Sequence, residues 1–333
     1  MIKENISLKN YNTFGIDVKT KFFSEITSEN QLVQILKSIK GFPFRVLGSG
    51  SNVLLTNDYN GYTFIMKNKG INVLDETESD ILIEVQAGED WHELVLWALE
   101  KDYGGIENLA LIPGSVGAAP IQNIGAYGVE LNSVFQSCRA LDIKSLSFKT
   151  YEKQACEFKY RSSIFKTKLK EKVIITSVRL CLQKKPHQTQ TEYGDLKAEI
   201  QGKELTIQNI AAKVIAIRKS KLPDPKQIGN SGSFFKNPII TKKQFLKLQK
   251  KFPEIPYYNE YNNLIKVPAG WLIEKMGYKG KRIGDTGIHK KQALVLVNYG
   301  NSKGSELHDL AKEIQEQILL NFEIELELEV NVI

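Results

Sequence analysis

Val46-Leu47-Gly48-Ser49-Gly50-Ser51-Asn52-Val53-Leu54 is a glycine-rich turn set between two apolar, strand-like segments. A doubly wound dinucleotide fingerprint needs a third glycine and a helix directly after it. A strand follows here, so that fold is excluded. In such a turn, glycines let backbone N–H groups converge on an anion, and Ser49, Ser51 and Asn52 add side-chain donors. A plain inter-strand connection would read the same way, and the flanking chain has to decide between them.

Upstream, Thr27-Ser28 precedes apolar residues at Leu32, Ile35, Leu36 and Ile39, closed by Gly41 and Pro43. This pattern predicts a capped helix with one buried stripe, followed by a strand over 44–47. Downstream, residues 63–182 read mainly as strands, including 81–87 and 173–182, with one helix over 91–101. A polar stretch, 183–191, predicts a long loop. Thr206 caps a helix with the stripe Ile210, Ala211, Val214 and Ile217, and Pro223 and Pro225 stop it.

From Leu222 the pattern predicts a third unit, with helices after Thr241, over 271–276 and over 305–322, and a strand over 293–298. Ile324, Leu326, Leu328, Val330 and Val332 alternate with Glu325, Glu327, Glu329 and Asn331, the period of a half-buried strand.

The chain has 333 residues, which suits two or three compact units. Hydrophobic residues at 42% and charged residues at 25% match a soluble globular protein. No apolar run reaches the ~20 residues of a membrane helix, so membrane insertion is not expected. The opening Met1-Ile2-Lys3-Glu4-Asn5-Ile6-Ser7 has no signal-peptide core, and Cys138, Cys156 and Cys181 form no C-x-x-C pair. The expectation is a cytoplasmic protein without a disulfide framework or metal site. The net charge is +7, but the basic residues are scattered without interleaved aromatics, which argues against nucleic acid and leaves phosphate-bearing substrates open.

The second informative stretch is Glu107-Asn108-Leu109-Ala110-Leu111-Ile112-Pro113-Gly114-Ser115-Val116-Gly117-Ala118-Ala119-Pro120-Ile121-Gln122-Asn123-Ile124-Gly125-Ala126-Tyr127-Gly128. Glycine and alanine leave room for a large flat ligand against the backbone, and the prolines hold the loop's shape. Its interspersed leucines, isoleucines and valine exclude a disordered linker.

Taken in order, Tyr11-Asn12-Thr13-Phe14-Gly15, the 48–55 turn and the 112–128 loop closely resemble the UDP-N-acetylenolpyruvoylglucosamine reductases. The resemblance continues through Tyr160-Arg161, Tyr193-Gly194-Asp195-Leu196, Lys221-Leu222-Pro223-Asp224-Pro225, the 229–238 block Gly-Asn-Ser-Gly-Ser-Phe-Phe-Lys-Asn-Pro, 269–274, 289–294 and Leu328-Glu329-Val330. Nearly the whole chain is covered. The segment 193–196 is similar to the family branch that places a tyrosine loop over the substrate.

The resemblance implies an α+β chain with a vanillyl-alcohol-oxidase-type FAD-binding fold in two subdomains, 1–69 and 70–221. A C-terminal substrate-binding domain follows at 222–333, whose last strand could return to the FAD domain. It implies non-covalent FAD, with NADPH as co-substrate, and reduction of UDP-N-acetylglucosamine enolpyruvate to UDP-N-acetylmuramate for peptidoglycan, by a monomer. FAD contacts would come from Gly48, Ser49, Gly50, Ser51 and Asn52, and from Pro113, Gly114, Ser115, Gly117, Ala118, Ile121, Gln122, Asn123, Gly125, Ala126, Tyr127 and Gly128. Tyr160, Tyr193, Lys221, Asn237 and Gln292 would bind substrate.

Hydride delivery to the vinyl carbon of an enol ether builds charge at the neighbouring carbon and its carboxylate. The site then needs a cation, a partner for the enolate and a proton donor. By resemblance these are Arg161, Glu329 and Ser233. A guanidinium fork suits a carboxylate, and a serine hydroxyl is acid enough for a carbanion. Two other readings compete: an oxidase of the same FAD superfamily, and a nucleotide-sugar binder without activity. The 106–128 loop lacks the His or Cys of covalent flavin attachment, and the joint presence of Arg161, Ser233 and Glu329 argues against a mere binder.

Overall fold

Ser28 opens the first helix, α1 (Glu29–Ser38), by accepting the Gln31 N–H at 3.2 Å, while Gln31 Oε1 accepts the Thr27 N–H at 2.7 Å. Such a reciprocal cap satisfies donors the helix end would leave orphaned and is worth about 1 kcal/mol. Leu32, Leu36 and Ile39 are buried and Ile35 half-buried, as the stripe requires. These coordinates are a computed structural model that describes residues 2–39, 41–202 and 204–333. Met1, where the first expected subdomain opens, lies outside the described residues.

Contacts gather the chain into two units. The first comprises Met1–Ile6, Thr20–Ser49 and Asn60–Ser220, and the second Ser7–Lys19, Gly50–Tyr59 and Lys221–Ile333. Short segments from the N-terminal part are thus grouped by their contacts with the C-terminal part.

In the first unit, a four-stranded sheet runs in the order Lys3–Ser7, Lys19–Ile26, Tyr59–Met66, Phe44–Leu47, the last two parallel. The α1 stripe packs in one apolar core with Phe64, Met66, Ala87, Leu141 and Ile174. A five-stranded antiparallel sheet follows in the order Ser147–Glu152, Phe135–Asp142, Val173–Gln183, Asp80–Gln86, Ile71–Glu76. Helix α2 (Trp91–Glu100) is capped by Asp90, whose carboxylate accepts the His92 and Glu93 N–H groups. Trp91 is fully buried in this unit's larger core, together with the inward faces of α3 (Gly194–Ile200) and α4 (Ile207–Lys221). Cys138 and Cys156, distant in sequence, meet in this core as free thiols; the Cys156 contact and burial push the Cys138 thiol far up.

The second unit carries α5 (Lys242–Lys251), α6 (Ala269–Lys275) and α7 (Gly304–Phe322), with two three-stranded sheets. The expected strand at 293–298 is shorter, Leu296–Asn298. The closing alternation is correct in burial and only partly a strand. Ile324, Leu326 and Val330 are buried, but the paired strand is Asn331–Val332, parallel to Val53–Leu54. The residues before it meet the irregular segment after Gly232, where only isolated bonds form. The last strand thus pairs with a segment of the expected first subdomain, and both belong to the second unit. No helix among the described residues is long and apolar enough to cross a membrane.

Candidate active site

The turn 48–52 is divided between the units. In the first, a Cβ on Gly48 would lie 2.2 Å from Ser115 Oγ, so the turn rests directly on the 113–128 loop and a larger residue would have to displace the Ser115 hydroxyl. In the second, Gly50 has φ +67°, and a Cβ there would lie 2.0 Å from the Tyr11 carbonyl oxygen. The Gly50 carbonyl accepts the Thr13 N–H at 3.1 Å. Asn52 Nδ2 donates to the Glu329 carbonyl at 3.2 Å, and the Asn52 carbonyl accepts the Asn331 N–H at 3.1 Å. The turn thereby pins the expected motif Tyr11-Asn12-Thr13 and the C-terminal strand.

The 107–128 loop is held as tightly. Val116 N–H donates to the Glu89 carbonyl and Gly117 N–H to the Ala87 carbonyl, each at 2.9 Å; a Cβ on Gly117 would lie 2.5 Å from Ala87 Cβ. Leu111 N–H donates to His92 Nδ1 at 3.0 Å, which fixes His92 as neutral with its proton on Nε2. Burial holds the His92 pKa below its ordinary value. A 3-10 turn, Val116–Gln122, ends at Asn123, whose buried amide is committed to Glu130 Oε2 at 2.7 Å and to the Asn132 N–H at 3.0 Å. Of this loop, Pro113 and Ile121 are exposed, Gly114, Ala118 and Gln122 half-buried, and Ser115 buried.

Gly125–Ala126 and Val129–Glu130 then form a hairpin whose two turn residues, Tyr127 and Gly128, have φ +48° and +82°. Positive φ at both places matches the twist of the flanking strands. Asn108 Nδ2 holds this turn by donating to the Tyr127 carbonyl at 2.9 Å and to the Gln190 carbonyl at 2.8 Å. A Cβ on Gly128 would lie 3.3 Å from Tyr193 Cβ, which places Tyr193 over the hairpin tip.

Arg161 Nη2 donates to the Gly125 carbonyl at 2.6 Å, and its guanidinium lies 5.3 Å from the Tyr160 ring centroid. The pair occupies the tip of a tight turn closed by mutual Lys159 and Ser162 backbone bonds at 3.0 Å, with Arg161 at φ +51°. In the first unit the structure therefore brings together Arg161, Tyr160, the 125–128 hairpin and Tyr193.

The second unit brings together Ser233 and Glu329. Glu329 N–H donates to the Phe234 carbonyl at 2.9 Å and Lys236 N–H to the Glu327 carbonyl at 2.9 Å, so the two segments run side by side. Phe234 and Phe235, fully buried, anchor the serine side. Gly232, at φ +71°, donates its N–H to Asn230 Oδ1 at 3.0 Å and turns the chain into Ser233. Glu325 and Glu327 are exposed whereas Glu329 is half-buried, a difference that simple alternation does not foresee. Asn237 Oδ1 accepts the Ala269 N–H at 2.9 Å at the start of α6; Gln292 Oε1 accepts the Leu294 N–H at 3.3 Å; Lys221 is exposed.

Two residues of the first unit stand out that sequence reasoning passed over. Asn108 Oδ1 and Arg218 Nε are buried without a hydrogen-bond partner. Asn108 lies inside the quoted loop. Arg218 follows the apolar Ile217 of α4 and reads as the start of a polar face, so nothing in the periodicity marks it.

Residues 224–333 match the family model described as UDP-N-acetylenolpyruvoylglucosamine reductase, C-terminal domain, and residues 20–144 match the one described as FAD binding domain. The chain is 50% identical over 335 residues to a UDP-N-acetylenolpyruvoylglucosamine reductase of Flavobacterium johnsoniae, covering all of this chain and 99% of that one. It is 47% identical over 337 residues to one of Amoebophilus asiaticus, with coverage of 100% and 99%. The fold is that of the reductase crystal structure from Thermus caldophilus, at TM-score 0.71 and 24% identity over 100% of this chain and 99% of that one. An FAD-binding fold followed by a reductase C-terminal domain, matched end to end by relatives at such identity, means that the chain belongs to the UDP-N-acetylenolpyruvoylglucosamine reductase family.

Proposed function

We infer that the chain catalyses the NADPH-dependent, FAD-mediated reduction of UDP-N-acetylglucosamine enolpyruvate to UDP-N-acetylmuramate, a step of peptidoglycan synthesis. The carrying observation is the 50% identity to the Flavobacterium johnsoniae reductase over both full lengths. The first unit suits FAD: its 113–128 loop is rich in residues without bulk, and it contains an unpartnered buried guanidinium nitrogen, Arg218 Nε, fit for an electron-rich group. FAD held there would supply hydride transfer between NADPH and the substrate's vinyl carbon.

The chain's own residues do the rest. Arg161, held by the Gly125 carbonyl, faces its fork to the substrate carboxylate; the fork geometry matches two carboxylate oxygens and strengthens as charge builds on them. Glu329 partners the enolate end. The Ser233 hydroxyl delivers the proton to the carbon beside the carboxylate. Tyr193, Lys221, Asn237, Gln292 and Tyr160 bind the nucleotide-sugar, with Tyr193 on the loop of the tyrosine-bearing branch. The flavin is non-covalent, 1–69 and 70–221 are its two subdomains, and the enzyme works as a cytoplasmic monomer.

The test is an absorbance titration of the purified, air-equilibrated then deoxygenated protein. NADPH is expected to bleach the flavin and the enolpyruvyl UDP-sugar to restore it. A flavin that NADPH reduces but only oxygen reoxidises overturns the reading.

A further inference from the structure

Helix α5 packs Phe245 and Leu248 inward and leaves Lys242, Lys243, Leu246, Lys247 and Lys250 exposed. Thr241 caps it by accepting the Gln244 N–H at 3.2 Å, and its first turn holds Lys242 and Lys243 with no carboxylate. A helix start already concentrates positive charge, so these two cations oppose the fold and helix formation does not account for them. Lys247 is paired with Glu323 at 2.7 Å. Lys242, Lys243 and Lys250 make no ion pair among the described residues.

A hairpin stands beside this face. Lys242 N–H donates to the Asn263 carbonyl at 3.1 Å, and Thr241 is paired with Leu264. The hairpin strands, Tyr258–Glu260 and Leu264–Lys266, meet at a turn whose Tyr261 is 90% exposed, while Ile239, Leu246 and Leu264 are exposed around it. Its one carboxylate, Glu260, is paired with Lys266. Where helix and hairpin meet, Lys242, Lys243, Leu246, Lys247, Lys250 and Asn263 line a depression of about 540 Å³.

Unpaired cations interleaved with leucine, isoleucine and a protruding tyrosine match the boundary between lipid headgroups and acyl chains. Lysine heads meet phosphates there while their stems and the apolar side chains settle below, and tyrosine favours the same depth. An acidic protein partner would be gripped by arginine forks, and neither α5 nor the hairpin carries an arginine. Single-stranded nucleic acid would stack on aromatic rings along a basic groove. Tyr261 projects from a turn and is not among the residues lining the depression.

We propose that α5 and the 258–266 hairpin form a docking surface for an anionic phospholipid bilayer, which the protein visits reversibly without inserting a helix. The proposal goes beyond the reductase reading, and none of these residues belongs to the site described above. A lysine close to an anionic surface raises partitioning ~5-fold, so the three unpaired lysines together supply ~10²-fold.

The test is co-sedimentation of the full-length holoprotein with vesicles of phosphatidylglycerol and phosphatidylcholine, and with vesicles of phosphatidylcholine alone. Binding is expected to the first and not to the second, and it should weaken as salt rises. The triple variant Lys242→Gln, Lys243→Gln, Lys250→Gln should lose ~10²-fold in partitioning, with turnover in solution and melting temperature unchanged. A charge-matched control, Lys37→Gln, Lys144→Gln, Lys170→Gln, alters exposed lysines of the first unit and should lose far less. Tyr261→Ser should weaken the binding that persists at high salt.

Absence of wild-type binding to the anionic vesicles overturns the proposal, and this reading needs no variant to fold. Equal losses in the two triple variants overturn it too, by reducing the effect to net charge. So does release of the protein from vesicles by millimolar pyrophosphate at constant ionic strength, which would make the depression a site for a free phosphate compound. A triple variant that keeps vesicle binding but loses affinity for a DNA oligonucleotide would give the face to nucleic acid instead.

Discussion

Arg161 holds a left-handed backbone, φ +51°, which costs a residue with a side chain roughly 1 kcal/mol or more. Glycine would relieve that strain and delete the guanidinium. Arg161→Gly is therefore expected to melt at or above the wild-type temperature while kcat/KM falls by ~10² or more, the loss of a transition-state charge contact. A folded variant with near wild-type kcat/KM would remove Arg161 from the chemistry. Ser233→Ala should separate the two half-reactions. Reduction by NADPH needs no proton delivered to substrate and should be nearly intact; reoxidation by the enolpyruvyl substrate should slow by ~10²–10⁴-fold. Stopped-flow flavin absorbance reads both, and equal rates of reoxidation in mutant and wild type would overturn the assignment.

His92 makes a pH prediction at the same scale. Its folded pKa is depressed by burial, and its Nδ1 must stay unprotonated to accept the Leu111 N–H. The unfolded chain, with histidine near ~6.5, then binds the proton more readily than the folded one. Its contribution to stability is complete above that pH and is lost as pH falls from there through the folded value. His92→Asn, which keeps an acceptor in place and cannot titrate, should flatten the decline of melting temperature between pH 7 and pH 5. An unaltered slope would show that His92 is not a source of it.

Among the elements, Gly304 sets two rules against each other. Helix propensity says alanine near the start of α7 should stabilise by up to ~1 kcal/mol. A Cβ there, however, would lie 1.8 Å from the Leu55 carbonyl oxygen and 3.0 Å from Thr56 Cα, both backbone. Overpacking of that kind costs about 1–3 kcal/mol, so the contact should win and Gly304→Ala should melt lower. A higher melting temperature would mean that propensity decides. The sequence made α1 and α4 legible because each joins a cap or stop signal to a 3.6-residue stripe. It marked the 48–52 turn too, by glycine. It could not show that Gly304 abuts Leu55, because a close approach between distant segments leaves no periodicity. For the same reason Glu329 looked equivalent to Glu325 and Glu327, and Arg218 looked solvated: partial burial depends on which neighbour covers the residue. Asn123 was legible as a loop polar residue, but not as an amide already committed to Glu130 and Asn132.

Over the whole molecule, the chain passes between units at 6/7, 19/20, 49/50, 59/60 and 220/221. The second unit needs Val53–Leu54 to pair its last strand, and it needs Thr13, whose carbonyl accepts the Asn230 N–H at 3.0 Å. A fragment of residues 221–333 lacks both. It is expected to show no cooperative thermal transition and little hydrogen-exchange protection, whereas the full chain should show both. A fragment that melts cooperatively would refute this dependence.

This threading also bears on how such a gene can change. Recombination exchanges continuous stretches of DNA, and a single breakpoint at 220/221 would deliver a C-terminal unit stripped of Ser7–Lys19 and Gly50–Tyr59. A breakpoint at 49/50 would keep one inserted segment and lose the other. The second unit therefore cannot be passed on as a cassette, and a chimera built from two such genes should work only where both parents already agree at the two inserted segments.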